Sequence, residues 1–410
     1  MAKIFKGHTA LRIGIVNIVI LLLAGGSGAA EISSCTTITS PGEYVLNQSI
    51  IDSGATSCIN ITSNDVVFDG AGYTIDGIDG DETYGVHVYN PTGLTNVTVK
   101  NLTVTDWYHG IFYHQVAGGS IANNNAYSNR YTGISLVGES SANILTANNV
   151  NSNGYTGIEI LDSDGNILTG NNANSNTIGI SITHGGIDNI LINNNASLNS
   201  DTGILLANGV GPGVSDNILS NNNANSNGYG FRLEGSNNNI LDSNSAISNT
   251  IYGISLMDSN DNIINNNYFD NTNNVYDDGF NTWNSTKTAG VNIIGGPYTG
   301  GNHWSDYTGA DIDGDGLGDT LLPYNSSGNI LNGGDYLPLV TSASTVTPTV
   351  TPTATPTAEL TANPTVTATL TPIPTPTPIQ PISVPEFPIS VAFPVAGILG
   401  MVLLLVRRRD

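Results

Sequence analysis

The stretch DIDGDGLGD sets carboxylates at alternate positions. Asp311, Asp313 and Asp315 precede Gly316, and Asp319 falls at position nine of the same loop. Hard carboxylate oxygens at this spacing wrap Ca²⁺, and the glycine allows the sharp turn. A full EF-hand loop carries glutamate at position twelve, where this chain has Leu322. The pattern predicts a structural Ca²⁺ site without a switching role.

Two other acidic groups could do chemistry. Asp76, Asp79, Asp81 and Glu82 cluster in TIDGIDGDETYG, and Asp277 and Asp278 are adjacent. Glycoside hydrolysis needs two facing carboxylates, yet neither group falls in a regular central segment. These acids read as turn residues, and no catalytic residue is assigned. Of the six histidines, His8, His87, His109, His114, His184 and His303, none has a Met-rich neighbourhood that would suit copper. His109 and His114 are separated by an odd number, which puts them on opposite faces of a single strand. Trp283, Trp304 and Tyr307 either stack on sugars or plug the last coil of the fold; the plug is the preferred reading.

Composition narrows the function classes. The 410 residues include 10 Lys and Arg against 33 Asp and Glu, a formal net charge of −23. Six of the basic residues stand near the ends: Lys3, Lys6, Arg12, Arg407, Arg408 and Arg409. Only Lys100, Arg130, Arg232 and Lys287 lie between, so a nucleic-acid partner is excluded. Polyanionic glycans are repelled unless cations bridge them. Residues 1–30 read as a secretory signal with a cut after Ala30. Cys35 and Cys58 follow, and in an oxidising compartment they pair. Residues 341–384 form a Thr/Pro-rich linker that cannot bury apolar area and is expected to be a disordered, extended stalk. In residues 385–410, the uncharged run from Ile389 to Val406 is long enough for a transmembrane helix, with the arginines on the cytoplasmic side.

The elements between are repetitive. Ile144, Ile167, Ile190, Ile218, Ile240 and Ile263 each follow an asparagine, at steps of 22 to 28 residues. Four residues on stand Asn148, Asn171, Asn194, Asn222 and Asn244, with Asn266 taken as the sixth member of a unit one residue short. A second column runs Asn153, Asn176, Asn199, Asn227, Asn249 and Asn271. A 22–24-residue period means a solenoid, and short alternating spans such as GIEI have strand period. The chain is therefore all-β: residues 31–271 form a right-handed parallel β-helix with an N-terminal cap. Residues 272–340 form a C-terminal capping module bearing the Asp-rich loop. In stacked coils the first column points inward as an amide ladder, and the second marks a turn. The step of 28 places a bulging loop at 208–217.

The segments CTTITSPGEYVLNQSI, CINITSNDVVFDGAGYTIDG and GGNHWSDYTGADIDGDGLGDTLLPY, with the asparagine coils, resemble NosD-like β-helix proteins of archaeal cell surfaces over about residues 33–340. Pro385, Glu386 and Phe387, the apolar span and the arginines resemble a PEF-CTERM sorting signal. That resemblance implies processing by an archaeosortase-type enzyme, loss of the span and a lipid anchor at the cell surface. It leaves the copper-related family name unsupported by itself. The expected role is a structural or adhesive envelope protein whose partners are envelope or extracellular glycans. Two alternatives stay open: a polysaccharide-active hydrolase, lyase or epimerase, and a NosD-like metallocentre accessory protein. Sequons at Asn47, Asn60, Asn96, Asn101, Asn195, Asn284 and Asn325 are glycosylation candidates.

Overall fold

The computed structural model describes residues 28–209 and 213–341. The secretory signal up to residue 27, the linker from residue 342 and the sorting signal lie outside the described residues. The described chain is a right-handed parallel β-helix of about ten turns. Two eleven-stranded parallel sheets follow the coil axis, and shorter pairings close the third side. Among the described residues the only helix is a 3-10 turn at Ser326–Gly328.

One coil explains the rest. Thr132–Val137 lies in the long-strand sheet and Ile144–Thr146 in the short-strand sheet, while Asn149 forms the third side as a single bridge. Alternation turns Ile134, Leu136 and Leu145 inward, all fully buried. The next coils repeat this in register: Ile134 pairs with Ile158, Ile158 with Ile180, and Leu145 with Leu168. The core is thus a set of columns of like side chains, each burial contributing roughly 1.5–3 kcal/mol.

The corners are asparagine. Asn148 shows the unit: its Nδ2 donates to Asn171 Oδ1 at 2.9 Å and to the Ile121 carbonyl at 2.8 Å. Its Oδ1 accepts the Nδ2 and the backbone N–H of Asn124, both at 3.0 Å. A primary amide has two donors and two acceptor lone pairs, and all four are used. This column runs Asn124, Asn148, Asn171, Asn194, Asn222, Asn244, Asn267, Asn302.

Asn266 does not belong to it. The sixth coil is not short between Ile263 and its amide; the missing residue falls later, between Phe269 and Asn271, where Phe269 still pairs with Ala246. Asn266 instead takes φ +57° at the corner, and its Nδ2 donates to Ser243 Oγ. From Asn124 to Asn267 each ladder asparagine is preceded by such a left-handed residue: Ala142, Ala147 and Ser152 precede Asn143, Asn148 and Asn153. The sharp bend is made one position before the amide.

Two further columns are buried in the same way. The Asn153 series does more than mark a turn: it stacks from Asn129 to Asn274. A third runs from Asn143 through Asn166, Asn189, Asn217, Asn239 and Asn262 to Asn281. The Gly-Ile pairs of the long strands make room for the second column. A Cβ on Gly179 would meet Asn199 Nδ2 at 2.7 Å and the Gly203 carbonyl at 2.6 Å.

The coil continues past residue 271. Val275–Asp277 extends the long-strand sheet, and His303–Trp304 pairs with Tyr268–Asp270. Trp283 and Trp304 are each 1 % exposed and close the apolar end. They are the plug and offer no face to a sugar. At the other end Cys35 and Cys58 form a disulfide that clips the first coil to the second.

Replacing Asn194 by alanine strands the Asn171 amide and the Leu168 carbonyl inside the core. Equilibrium denaturation should show a loss of roughly 3–5 kcal/mol. Replacing the exposed Asn223 on the neighbouring outer position should cost less than about 0.5 kcal/mol. Equal losses would contradict the ladder.

Candidate functional site

Outward positions carry no packing duty, so chemistry collects there. On the long-strand sheet the outer positions of the early coils hold rings. Tyr84 lies between His87 at 4.5 Å and His109 at 5.4 Å, stacked on both. Tyr89 stacks on His114 at 4.5 Å, and Phe112 packs edge-on or tilted against His87, His109 and His114. Beside them Tyr108, Tyr131 and Tyr155 form a stack with centroids 5.2 Å apart.

His109 and His114 therefore share one face, contrary to the parity of their spacing. Gly110 and Ile111 are both buried, as are Gly85 and Val86 one coil earlier. Two successive inward residues break the strict alternation, and a Cβ on Gly110 would meet the Gly133 carbonyl at 2.5 Å. Burial, then the neighbouring His114 charge, holds His87 down to about 4. Burial, then His87, does the same to His109, also about 4. His114 is lowered by burial. The patch is uncharged at neutral pH.

The same sheet carries Glu159 at its centre. Ser135 Oγ donates to its Oε2 at 2.6 Å, and burial raises its pKa. Three coils on, Arg232 pairs with Glu234 at 2.5 Å and Asp201 at 3.8 Å and lies over the Tyr229 ring. Glu159 stands in GIEI, where the inward–outward alternation already marks it as the one ionisable outward residue of that strand.

The acidic groups singled out by the sequence have other partners. Asp277 is fully buried, accepting Trp283 Nε1 at 2.9 Å and Asn281 Nδ2 at 2.8 Å, while Asp278 accepts the Asp258 N–H. Asp81 pairs with Arg130 at 2.6 Å. Asp106 lies among Asp76 and Asp79, and its pKa is raised by burial and then by the charges of Asp79 and Asp76. Asp311, Asp313 and Asp315 bring ligand oxygens within 4.8 Å of one another. Asp319 closes the loop differently, accepting the Ile312 N–H at 2.6 Å, and Lys287 pairs with Asp315. Among the sequons, Asn96 and Asn101 donate to Asp65 and Asp69, Asn47 to Glu31, and Asn195 accepts Ser197 Oγ. Asn60 pairs with His87 in the long-strand register, Asn284 accepts the Tyr336 N–H, and Asn325 is exposed.

A family model described as periplasmic copper-binding protein (NosD) matches residues 27–201 and 188–309. No curated protein matches the sequence. Among solved structures, a doubly substituted periplasmic alginate epimerase AlgG is similar at TM-score 0.50 and 17% identity, over 60% of this chain and 69% of its own. An alginate lyase from Paenibacillus sp. str. FPU-7 is similar at TM-score 0.46 and 14% identity, over 59% and 93%. The A-module of a mannuronan C-5 epimerase from Azotobacter vinelandii is similar at TM-score 0.42 and 12% identity, over 62% and 80%. The AlgG likeness supports the β-helix fold and is silent on chemistry.

The family description names copper, and the described residues do not fit a copper centre. Copper takes imidazole, thiolate or thioether donors converging on one point. Both cysteines are tied in the disulfide, and the histidines of the ring patch stack on tyrosines. Among the described residues, the one group of three or more converging His, Cys, Asp or Glu ligands is the all-carboxylate loop.

The histidines set a pH dependence. His87 and His109 are neutral in the fold down to about 4, while the unfolded chain protonates them below 6.5. Between these values the unfolded state binds more protons, so stability falls on acidification from pH 6.5 to 4. Thermal midpoints of a His87→Phe, His109→Phe variant should fall less over this window than those of the parent. An identical fall would contradict the assignment.

Proposed function

Since this chain belongs to the NosD family, we propose that it is an exported protein of an archaeal cell envelope that holds glycans against the outer face of its long-strand sheet. The observation that carries the reading is the ring patch from Tyr84 to Tyr155. Aromatic rings with polar edges, gathered half-buried on the outer face of a rigid sheet, suit a ligand that is apolar on its ring faces and hydroxylated at its rim. A saccharide has that character. The stacked tyrosines cover one another's faces, so they offer their edges and hydroxyls, while Tyr155, 41 % exposed, ends the stack. The net charge of −23 favours neutral glycans.

Export and anchoring rest on the two ends of the sequence. The basic and apolar leader, the disulfide and the periplasmic description of the family support secretion. The Thr/Pro linker and the Pro385–Phe387 sorting motif support attachment at the surface after archaeosortase-type processing. The loop of Asp311, Asp313 and Asp315 takes Ca²⁺, as hard oxygen donors at this spacing do. The ion would brace the C-terminal cap, with Lys287 displaced from Asp315.

A second reading, a polysaccharide-active enzyme, is favoured by the neighbouring carboxylates Asp76, Asp79 and Asp106, where burial and the adjacent charges raise the Asp106 pKa. It requires reducing or unsaturated ends to appear when the protein is incubated with polysaccharide, and Asp106→Asn to abolish them.

The test is retention of the intact protein on insoluble neutral polysaccharides. Joint replacement of Tyr131 and Tyr155 by alanine should lower retention about tenfold. Retention unchanged by that replacement would remove the ring patch from the account. Separately, millimolar Ca²⁺ should raise the thermal midpoint, and Asp311→Asn should abolish the rise. A rise that survives in the variant would place the ion elsewhere.

A further inference from the structure

The third side of the coil has an outer surface of a different kind. Its inward residues are small: Val150, Ala173, Ala196, Ala224 and Ala246 are fully buried. Its outward column runs in parallel register through Asn149, Asn172, Asn195, Asn223 and Ser245. Ser245 then pairs with Tyr268, and Tyr268 with His303. A ladder of amides and hydroxyls thus ends on two rings whose centroids lie 4.4 Å apart.

At that end the surface is concave. A shallow cleft of about 360 Å³ is lined by Asn221, Asn223, Ser243, Ser245 and Tyr268. Ile247 also lines it. Its remaining wall is Ile293, on the loop between the paired strands Thr288–Ala289 and Tyr298–Thr299. That loop is fixed: the Ile293 N–H donates to Asn266 Oδ1 at 2.8 Å, and Asn266 Nδ2 donates to Ser243 Oγ at 2.7 Å. The displaced Asn266 therefore has a task, holding the wall against the coil.

We propose that this cleft is a second binding site and that it takes a neutral saccharide. Three observations favour that ligand. No charged side chain lines the cleft, and the chain as a whole is strongly acidic, so ionic ligands gain nothing there. The polar groups are amides and hydroxyls, which both donate and accept and so match vicinal sugar hydroxyls. Asn223 is exposed and makes no side-chain hydrogen bond among the described residues, leaving its whole amide for a ligand. The Tyr268 ring and the two isoleucines supply the apolar surface on which a pyranose face packs. The site is separate in the fold from the ring patch of the long-strand sheet and stands without it.

The test uses the intact protein and calorimetric titration with cellohexaose, mannohexaose, xylohexaose and, as the anionic comparison, a hexamer of mannuronate. At least one neutral hexamer should bind, and the mannuronate should bind more weakly. Asn223→Ala, which leaves the fold intact, should weaken binding several-fold. Tyr268→Ala should weaken it about tenfold, and Tyr268→Phe should retain it. The Tyr131→Ala, Tyr155→Ala protein should keep this binding, which separates the cleft from the long-strand face. The proposal is overturned if no neutral hexamer binds, if mannuronate binds best, or if binding is lost with Tyr131 and Tyr155 and kept in Asn223→Ala.

Discussion

Everything in this molecule hangs from three columns of buried side-chain amides. Along a column each amide donates one N–H to the next amide on the C-terminal side and accepts from the amide before it, its second N–H going to a backbone carbonyl. The dipoles in one column therefore align and polarise each other, as they do along a hydrogen-bonded chain. Such a column starts on a backbone N–H and must end on an acceptor. The three begin at the N–H groups of Leu102, Trp107 and Gly119. They end on carboxylates: Asn302 donates to Asp335, Asn274 to Asp306 and Asn281 to Asp277. The C-terminal cap supplies these three acids at the donor end of the columns, where negative charge is most favoured. Asp335 is fully buried for this purpose; burial pushes it up to about 6 although Asn302 and Trp304 donate to it.

Because the columns fix the coil, the outward positions are free to vary. The early coils use apolar corners in place of amides, with Val97, Leu102 and Trp107 after the left-handed residues Asn96, Asn101 and Asp106. These same coils present the stacked rings. The middle coils, held by amide corners, present mostly hydroxyls and amides, with Glu159 and the Arg232–Glu234 pair on the long-strand side. One scaffold thereby offers an aromatic surface and a neutral polar one, on different sides. Neither is a set of copper donors, although the chain belongs to a family described by copper.

Much of this was legible before the structure. The asparagine period gives the coil, and the Gly-Ile pairs give the strand that closes on the amides. Three features escaped for identifiable reasons. The amide directly before each anchoring isoleucine, Asn143 and its successors, served as an alignment mark and is itself a ladder. Asn266 and Asn267 are identical residues one position apart, and only the corner geometry tells the left-handed one from the inward one. Parity assigned His109 and His114 to opposite faces because it assumes unbroken alternation, and Gly110 breaks it. Conversely, Trp283 and Trp304 were legible as a plug because no repeat continues beyond them to cover the last coil. The acids that end the columns carry no local signal, since what makes Asp335 necessary is a column that starts more than two hundred residues earlier.

The most direct measurement is hydrogen exchange of the asparagine side-chain amides in the isotope-labelled intact protein, followed by NMR. Amides in the three columns should exchange as slowly as backbone amides of the two large sheets, because both open only when coils separate. That of Asn223, which is exposed, should exchange at a rate near that of a free amide. Fast exchange throughout the columns would contradict the account at its foundation.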